Sequence, residues 1–193
     1  TPDWRLIRAS IDKPVYKEKL RQRSYGVPGA QDRVFVELKK KFKGVVYKRR
    51  APLSLKEAED FLYRDIPLVA DGQILREISW FRAAWQPLQP RVYIAYDRRA
   101  YYGAENEALR VTFDENIRFR QSRLTLASGT DGAYVQAPGE VLMEIKIPGA
   151  LPVWMSDILS ELAIFPASYS KYGTCYQDFI LPELQWKGMK RSA

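Results

Sequence analysis

The chain has 193 residues, enough to bury a sizeable core in one domain and cramped for two independent ones. Hydrophobic residues make up 46% and charged residues 28%, and neither a membrane-length apolar run nor a signal-peptide pattern is present, so a soluble, cytoplasmic globular protein is expected. A net charge of +8 calls for an anionic partner, while the absence of His and the single Cys175 exclude the usual zinc sites, Ser-His and Cys-His nucleophile pairs and an intrachain disulfide.

Any metal must therefore sit on oxygen ligands, which favours Mg²⁺ or Mn²⁺. No internal repeat, low-complexity tract or linker marks a boundary, and one domain over residues 1–193 is expected. Period-two alternation dominates the first third of the chain and predicts strands. From Tyr16 to Tyr25, Lys17, Lys19, Arg21 and Arg23 alternate with Glu18, Leu20, Gln22 and Ser24, so a strand sends four cations to one face. From Arg33 to Lys43, Glu37, Lys39 and Lys41 share one face and Val34, Val36 and Leu38 form the other, a core face. Val45 to Arg50 reads as the hairpin partner across Lys43-Gly44, ending in Lys48, Arg49 and Arg50.

Helical spacing follows. Ser54 with Glu57 is a capping box ahead of Leu55, Ala58, Phe61 and Leu62, and a second helix is predicted from Gln73 to Ala84. Strands return at Arg91 to Arg99 and at Leu109 to Asp114, where Leu109, Val111 and Phe113 oppose Arg110, Thr112 and Asp114. Ile117 and Phe119 against Arg118 and Arg120 repeat the split in what reads as either a short loop or an edge. A strand over Val141 to Ile147 sets Met143 and Ile145 opposite Leu142, Glu144 and Lys146, and helices are expected near Val153 to Ile164 and Tyr169 to Phe179. Trp80, Trp85 and Trp154 fall in helical patterns as packing residues, and Cys175 reads as a buried, unreactive thiol.

A single charged strand face is ordinarily a solvated sheet face. Here the polar faces repeatedly place like charges two residues apart, as in Arg21 with Arg23, Lys39 with Lys41 and Lys48 with Arg50, and such pairs repel unless an anion lies among them. If the strands curl so that their polar faces meet, the interior is a phosphate channel and helices must cover the apolar faces. Aromatic residues interleave with these cations at Tyr16, Tyr25, Phe35, Phe42 and Tyr47, as in proteins that bind single-stranded nucleic acid, although bases need an open groove.

The chain resembles the polyphosphate polymerase domain of the vacuolar transporter chaperone (VTC) family, within the triphosphate tunnel metalloenzymes of the CYTH-like superfamily. The resemblance covers Tyr16 to Gln177. It rests on Lys19-Leu-Arg21-Gln-Arg23-Ser-Tyr25-Gly26, Val36-Glu37-Leu-Lys39-Lys-Lys41, Tyr47-Lys48-Arg49-Arg50, Tyr96-Asp97-Arg98, Leu109-Arg110-Val-Thr112-Phe-Asp114, Met143-Glu144-Ile-Lys146 and Ser170-Lys171-Tyr172. It implies an α+β fold, an antiparallel β-barrel forming a triphosphate tunnel with helices packed outside. It also implies transfer of the γ-phosphate of ATP to a growing inorganic polyphosphate chain.

On the matching positions, Arg21, Arg23, Lys39, Lys48, Arg98, Arg110 and Lys171 are implied phosphate ligands, with Lys39, Lys48, Arg110 and Lys171 at the reacting centre. Ser170 is an implied phosphate-contacting hydroxyl and Glu144 the implied ligand of Mn²⁺ or Mg²⁺. Strand alternation adds Lys41 and Lys146 as phosphate contacts and Glu37 as a second metal ligand; Arg50 and Asp114 are set lower, because a surface ion pair explains either. ATP and polyphosphate are the expected partners, nucleic acid and zinc are not, and a membrane-anchoring partner or a further domain is left open. Many relatives in the superfamily carry E-x-E-x-K where this chain has Lys39 for the second glutamate, a feature of the polymerase branch that leaves fewer metal ligands. The family's first strand and its basic residue are expected to be missing from this chain. Hydrolysis of triphosphate on the same fold, and a polyphosphate-binding module without turnover, are the alternatives.

Overall fold

The computed structural model describes residues 1–191, and the chain divides into two compact units. The first comprises Thr1–Tyr93 and Arg120–Thr130. After helix α1 (Arg5–Ile11) it contains a three-stranded antiparallel sheet in the order β1 (Tyr16–Arg23), β2 (Arg33–Phe42), β3 (Val45–Ser54). Lys43 and Gly44 have φ of 45° and 86°, the doubly left-handed pair of a type I′ turn, whose twist matches that of the strands it joins. The turn thereby fixes the register, and with it which side chains share a face.

On the core face Val34, Val36 and Leu38 are buried with Ala51 and Leu53 of β3. Helices α2 (Leu55–Tyr63) and α3 (Gln73–Ala84) cover them through Leu55, Ala58, Phe61, Leu62, Ile78 and Phe81. Burying one such side chain contributes about 1.5–3 kcal/mol, so this cluster is the main reason the sheet keeps one face inward. The Ser54–Glu57 capping box forms as predicted: Ser54 Oγ accepts from Glu57 N at 3.2 Å and Glu57 Oε2 accepts from Ser54 N at 2.8 Å. Glu18 is also buried on this side, where it accepts from Trp85 Nε1 and Tyr16 Oη, each at 2.7 Å. Arg120 spends its donors on the carbonyls of Arg123, Thr125 and Gly129 and stacks on Tyr93, which makes it a loop organiser.

The second unit comprises Ile94–Phe119 and the described residues from Asp131 onward. Its four-stranded antiparallel sheet has β5 (Arg110–Arg120) next to β4 (Tyr93–Tyr102), with β6 (Ala133–Tyr134) and β7 (Leu142–Lys146) pairing successive stretches of β5. The segment Ile117 to Arg120, read from sequence as a loop or edge, is the continuation of β5. The alternation breaks because Asn116 has φ of 51°, which resets the pleat between buried Asp114 and buried Ile117. Gly132 is required where β6 approaches β5, since a Cβ there would lie 2.4 Å from the Phe119 carbonyl oxygen.

Helix α4 (Val153–Glu161) follows, and then a continuous helical run: α5 (Lys171–Thr174), a π-helical stretch over Cys175–Ile180 and α6 (Leu181–Arg191). The last predicted helix, placed at Tyr169 to Phe179, thus starts later and runs further. The fold is α+β with antiparallel sheets, as expected, but the expected closure into a barrel is not formed within either sheet. Trp80 and Trp154 also depart from expectation: they are 66% and 56% exposed, while Trp85 does pack against the core. Among the described residues no helix is long and apolar enough to cross a membrane.

Candidate functional site

On the face of the first sheet opposite the helices, the register assembles cations in rows. Lys17 stands opposite Lys41; Lys19, Lys39 and Lys48 form the next row; Arg21, Glu37 and Arg50 the next; Arg23, Phe35 and Pro52 the last. Neighbouring strands lie about 4.8 Å apart and successive rows about 7 Å apart, so the face carries a regular grid of positive charge. Like charges opposite one another are destabilising. The strain registers at Lys19, whose ammonium pKa is lowered by burial and then by the charges of Lys17, Lys39 and Arg21.

Glu37 compensates the arginine row. Its side chain is 1% exposed; Arg21 donates through Nε and Nη2, both at 2.6 Å, to Oε2. Arg50 donates through Nε at 2.8 Å and Nη2 at 2.6 Å to Oε1, with Lys48 Nζ at 3.2 Å from the same oxygen. Burial alone would raise the carboxyl pKa, but the charges and hydrogen bonds of Arg21, Arg50 and Lys48 outweigh it and bring it down to about 2. With both oxygens taken by three cations, Glu37 is their counter-ion, and the expectation of a metal ligand there gives way to that geometry.

The second unit repeats the device. Asp114 is fully buried and accepts from Arg98 Nε at 2.5 Å, Arg98 Nη2 at 2.6 Å and Lys171 Nζ at 2.5 Å. Burial opposes ionisation, yet these donors hold its carboxyl below the usual range, and the bond to Asp114 raises the Arg98 pKa in turn. The Tyr96 ring lies beneath both cations, 5.1 Å from Arg98 Cζ and 4.6 Å from Lys171 Nζ. Asp114 is therefore no surface ion pair, and neither is Arg50, whose partner is buried Glu37. Sequence alone shows no sign of this, because Lys171 lies 57 residues away in the chain.

Around Asp114 the β5–β7 register sets Arg110 opposite Lys146 and Thr112 opposite Glu144. Thr112 Oγ1 and Arg110 Nε are buried without a hydrogen-bond partner, an unsatisfied polar pair on the strand face that carries Asp114. Arg110 also lies over the Tyr102 ring at 5.3 Å. Glu144 is half-exposed, 3.2 Å from Lys146 Nζ and 3.8 Å from Arg98 Nη2. Ser170 caps α5, its Oγ accepting from Gly173 N at 3.2 Å, which sets the start of the helix that presents Lys171.

The structure thus gathers Arg21, Lys39, Lys41, Lys48 and Arg23 on one sheet face, and in the other unit sets Arg98 and Lys171 on Asp114, with Glu144 beside Arg98 and Lys146 and with Arg110 opposite Lys146 further along the β5–β7 pair. Among the described residues no cluster of three or more His, Cys, Asp or Glu side chains is placed to hold a metal. A single accessible carboxylate such as Glu144 suits Mg²⁺ or Mn²⁺, which keep waters and take phosphate oxygens from substrate as their remaining ligands.

These features define an α+β protein whose antiparallel sheets present arginine and lysine arrays organised by buried carboxylates. The family model for the VTC domain matches residues 1–180, and the chain belongs to that family. Membership links it to polyphosphate metabolism. A comparison with curated proteins gives no match.

Proposed function

We propose that the chain is a polyphosphate polymerase domain, transferring the γ-phosphate of ATP to the end of an inorganic polyphosphate chain. The observation that carries this is the ladder of cation rows on β1–β3, each row a two-residue step from the next. A regular row of charges suits a polyanion of regular repeat better than a compact anion. The tunnel implied by the resemblance belongs to this proposal.

Phosphoryl transfer requires little covalent chemistry of the protein: acceptor and donor must be in line and the developing charge neutralised. Lys39 and Lys48, with Arg21 fixed by Glu37, hold phosphate oxygens without conformational search. Arg98 and Lys171, fixed by Asp114, do the same, and each retains N–H groups after its bonds to the carboxylate. Arg110 and Lys146 add charge from the β5–β7 pair, and Arg23, Lys41 and Ser170 extend the contacts. Glu144 is the residue that holds Mg²⁺ or Mn²⁺, which when bound supplies charge neutralisation to the transferring phosphate. Glu37 acts instead through the cations it orients.

Each charge-assisted contact contributes about 1.5–3 kcal/mol, so removing one lowers affinity or rate roughly ten- to hundredfold. Incubating the purified chain with ATP and Mn²⁺, and following chain length by gel electrophoresis alongside orthophosphate release, tests the reading. Lengthening polyphosphate supports it. Orthophosphate without chain growth selects a hydrolase, and tight polyphosphate binding with no turnover selects a binding module; failure to bind tripolyphosphate at all refutes the whole reading.

A further inference from the structure

The cationic face of β1–β3 changes character at one end. Beyond the Arg21–Glu37–Arg50 row, the next row is Arg23, Phe35 and Pro52, with an aromatic ring where Glu37 and Lys39 stand in the rows before it. Tyr25, two residues past Arg23, meets Phe35 edge to face with ring centroids 6.1 Å apart and planes at 79°. It remains 69% exposed. Two guanidinium groups lie over these rings: Arg23 Cζ is 4.7 Å from the Tyr25 centroid, and Arg50 Cζ is 4.5 Å from that of Phe35. Arg50 is at the same time held by Glu37, so its plane is fixed between a carboxylate and a ring. Tyr16, Phe42 and Tyr47 do not join this group. The register puts Tyr16 opposite Phe42 and Tyr47 opposite Lys40, on the strand positions that point away from the cation rows.

We propose that this aromatic end is a nucleobase subsite, in which Tyr25 and Phe35 with the Arg23 and Arg50 guanidinium planes receive the base of a nucleoside triphosphate whose phosphates run along the cation rows. Stacking on aromatic rings and on guanidinium planes is how proteins hold an unpaired base, and it tolerates any base because each has a π face. An inorganic polyphosphate has no use for such a surface, whereas a nucleotide needs both ends of the face. From Phe35 to Lys39 along β2 is about 13 Å, the scale of an extended nucleoside triphosphate. The subsite gives the nucleotide a direction, with the base at the Tyr25 end and the γ-phosphate toward the lysine rows.

The inference rests on the triphosphate reading of the cation rows, and its test separates the two. Binding of ATP and of inorganic tripolyphosphate, each with Mn²⁺, is measured by calorimetry for the unaltered chain, Tyr25→Ala, Tyr25→Phe and Phe35→Leu. The expected result is a loss on the order of tenfold in ATP affinity for Tyr25→Ala. Tripolyphosphate affinity stays within about twofold, and Tyr25→Phe, which keeps the ring, restores ATP binding. Phe35→Leu, which retains bulk and removes the ring, weakens ATP selectively. If tripolyphosphate binds but ATP affinity is unchanged in Tyr25→Ala, or both ligands weaken equally, the subsite is overturned and the triphosphate reading survives. If tripolyphosphate does not bind the unaltered chain, both fall together.

Discussion

Replacing Glu37 by Gln removes one negative charge from the centre of the Arg21–Lys48–Arg50 group while keeping the side chain's size. The carboxyl pKa lies at about 2 against the usual 4.5, which at about 1.4 kcal/mol per pH unit amounts to about 3 kcal/mol of folding stability at neutral pH. Breaking a buried pair from one side generally costs about 3–5 kcal/mol. Here the three cationic side chains are 56%, 44% and 35% exposed and can turn to water, which holds the loss at the lower end of that range. Because the folded-state pKa is depressed, this stabilisation is complete above 4.5 and is lost as pH falls toward about 2. Urea unfolding of both proteins between pH 7 and pH 3, without metal, checks this. The gap of about 3 kcal/mol should narrow steadily below pH 4.5. A gap under about 0.5 kcal/mol at pH 7, the range of an ordinary surface substitution, refutes the counter-ion role. So does a variant whose metal-free stability is intact but whose activity demands far more Mn²⁺, since that is the signature of a lost metal ligand.

Asp114→Asn strands Arg98 and Lys171 beside a neutral buried amide and should lower stability by about 3 kcal/mol or more in the same unfolding assay. Glu144→Gln should leave unfolding within about 0.5 kcal/mol of the unaltered chain, because the residue is half-exposed. Metal-free tripolyphosphate binding should hold in this variant while the gain in binding on adding Mn²⁺, read by calorimetry, is lost. Cys175 is fully buried, and burial pushes its thiol pKa up to about 12; a thiol reagent at pH 8 should label it only after denaturation. Ser54→Ala removes the hydroxyl that accepts from Glu57 N, leaves the Ser54 N–H to Glu57 Oε2 in place, and should cost about 1 kcal/mol without altering tripolyphosphate affinity.

What the sequence discloses, and what it withholds, follows from the range over which each signal acts. The α3 limits and the Ser54–Glu57 cap are written in neighbouring residues, and both form as read. Alternation in β1 and β2 assigns cations to one face, and the two-residue turn at Lys43-Gly44 then aligns the rows. In β5 the same logic stops at Asn116, because a single left-handed residue shifts the parity without any change in composition. Glu37 and Asp114 illustrate the harder case. A carboxylate among cations reads equally well as a metal ligand, a surface pair or a buried counter-ion, and only burial and the distances to Arg21, Arg50, Arg98 and Lys171 decide. Trp80 and Trp154 fail for a related reason: helical spacing shows that a residue lies on a face, and says nothing of whether that face has a neighbour.

The π-helical stretch at Cys175–Ile180 lets the helical run hold one further residue without turning what flanks it. Such a stretch accommodates one residue more than an α-helix would over the same rise, and one residue corresponds to about 100° of rotation. Deleting a single residue between Cys175 and Ile180 would regularise the turns and leave Lys171 upstream and the helix downstream facing as they do now. A homologue shortened by that one residue would thus run as a regular α-helix and still aim its lysine ammonium as this chain does.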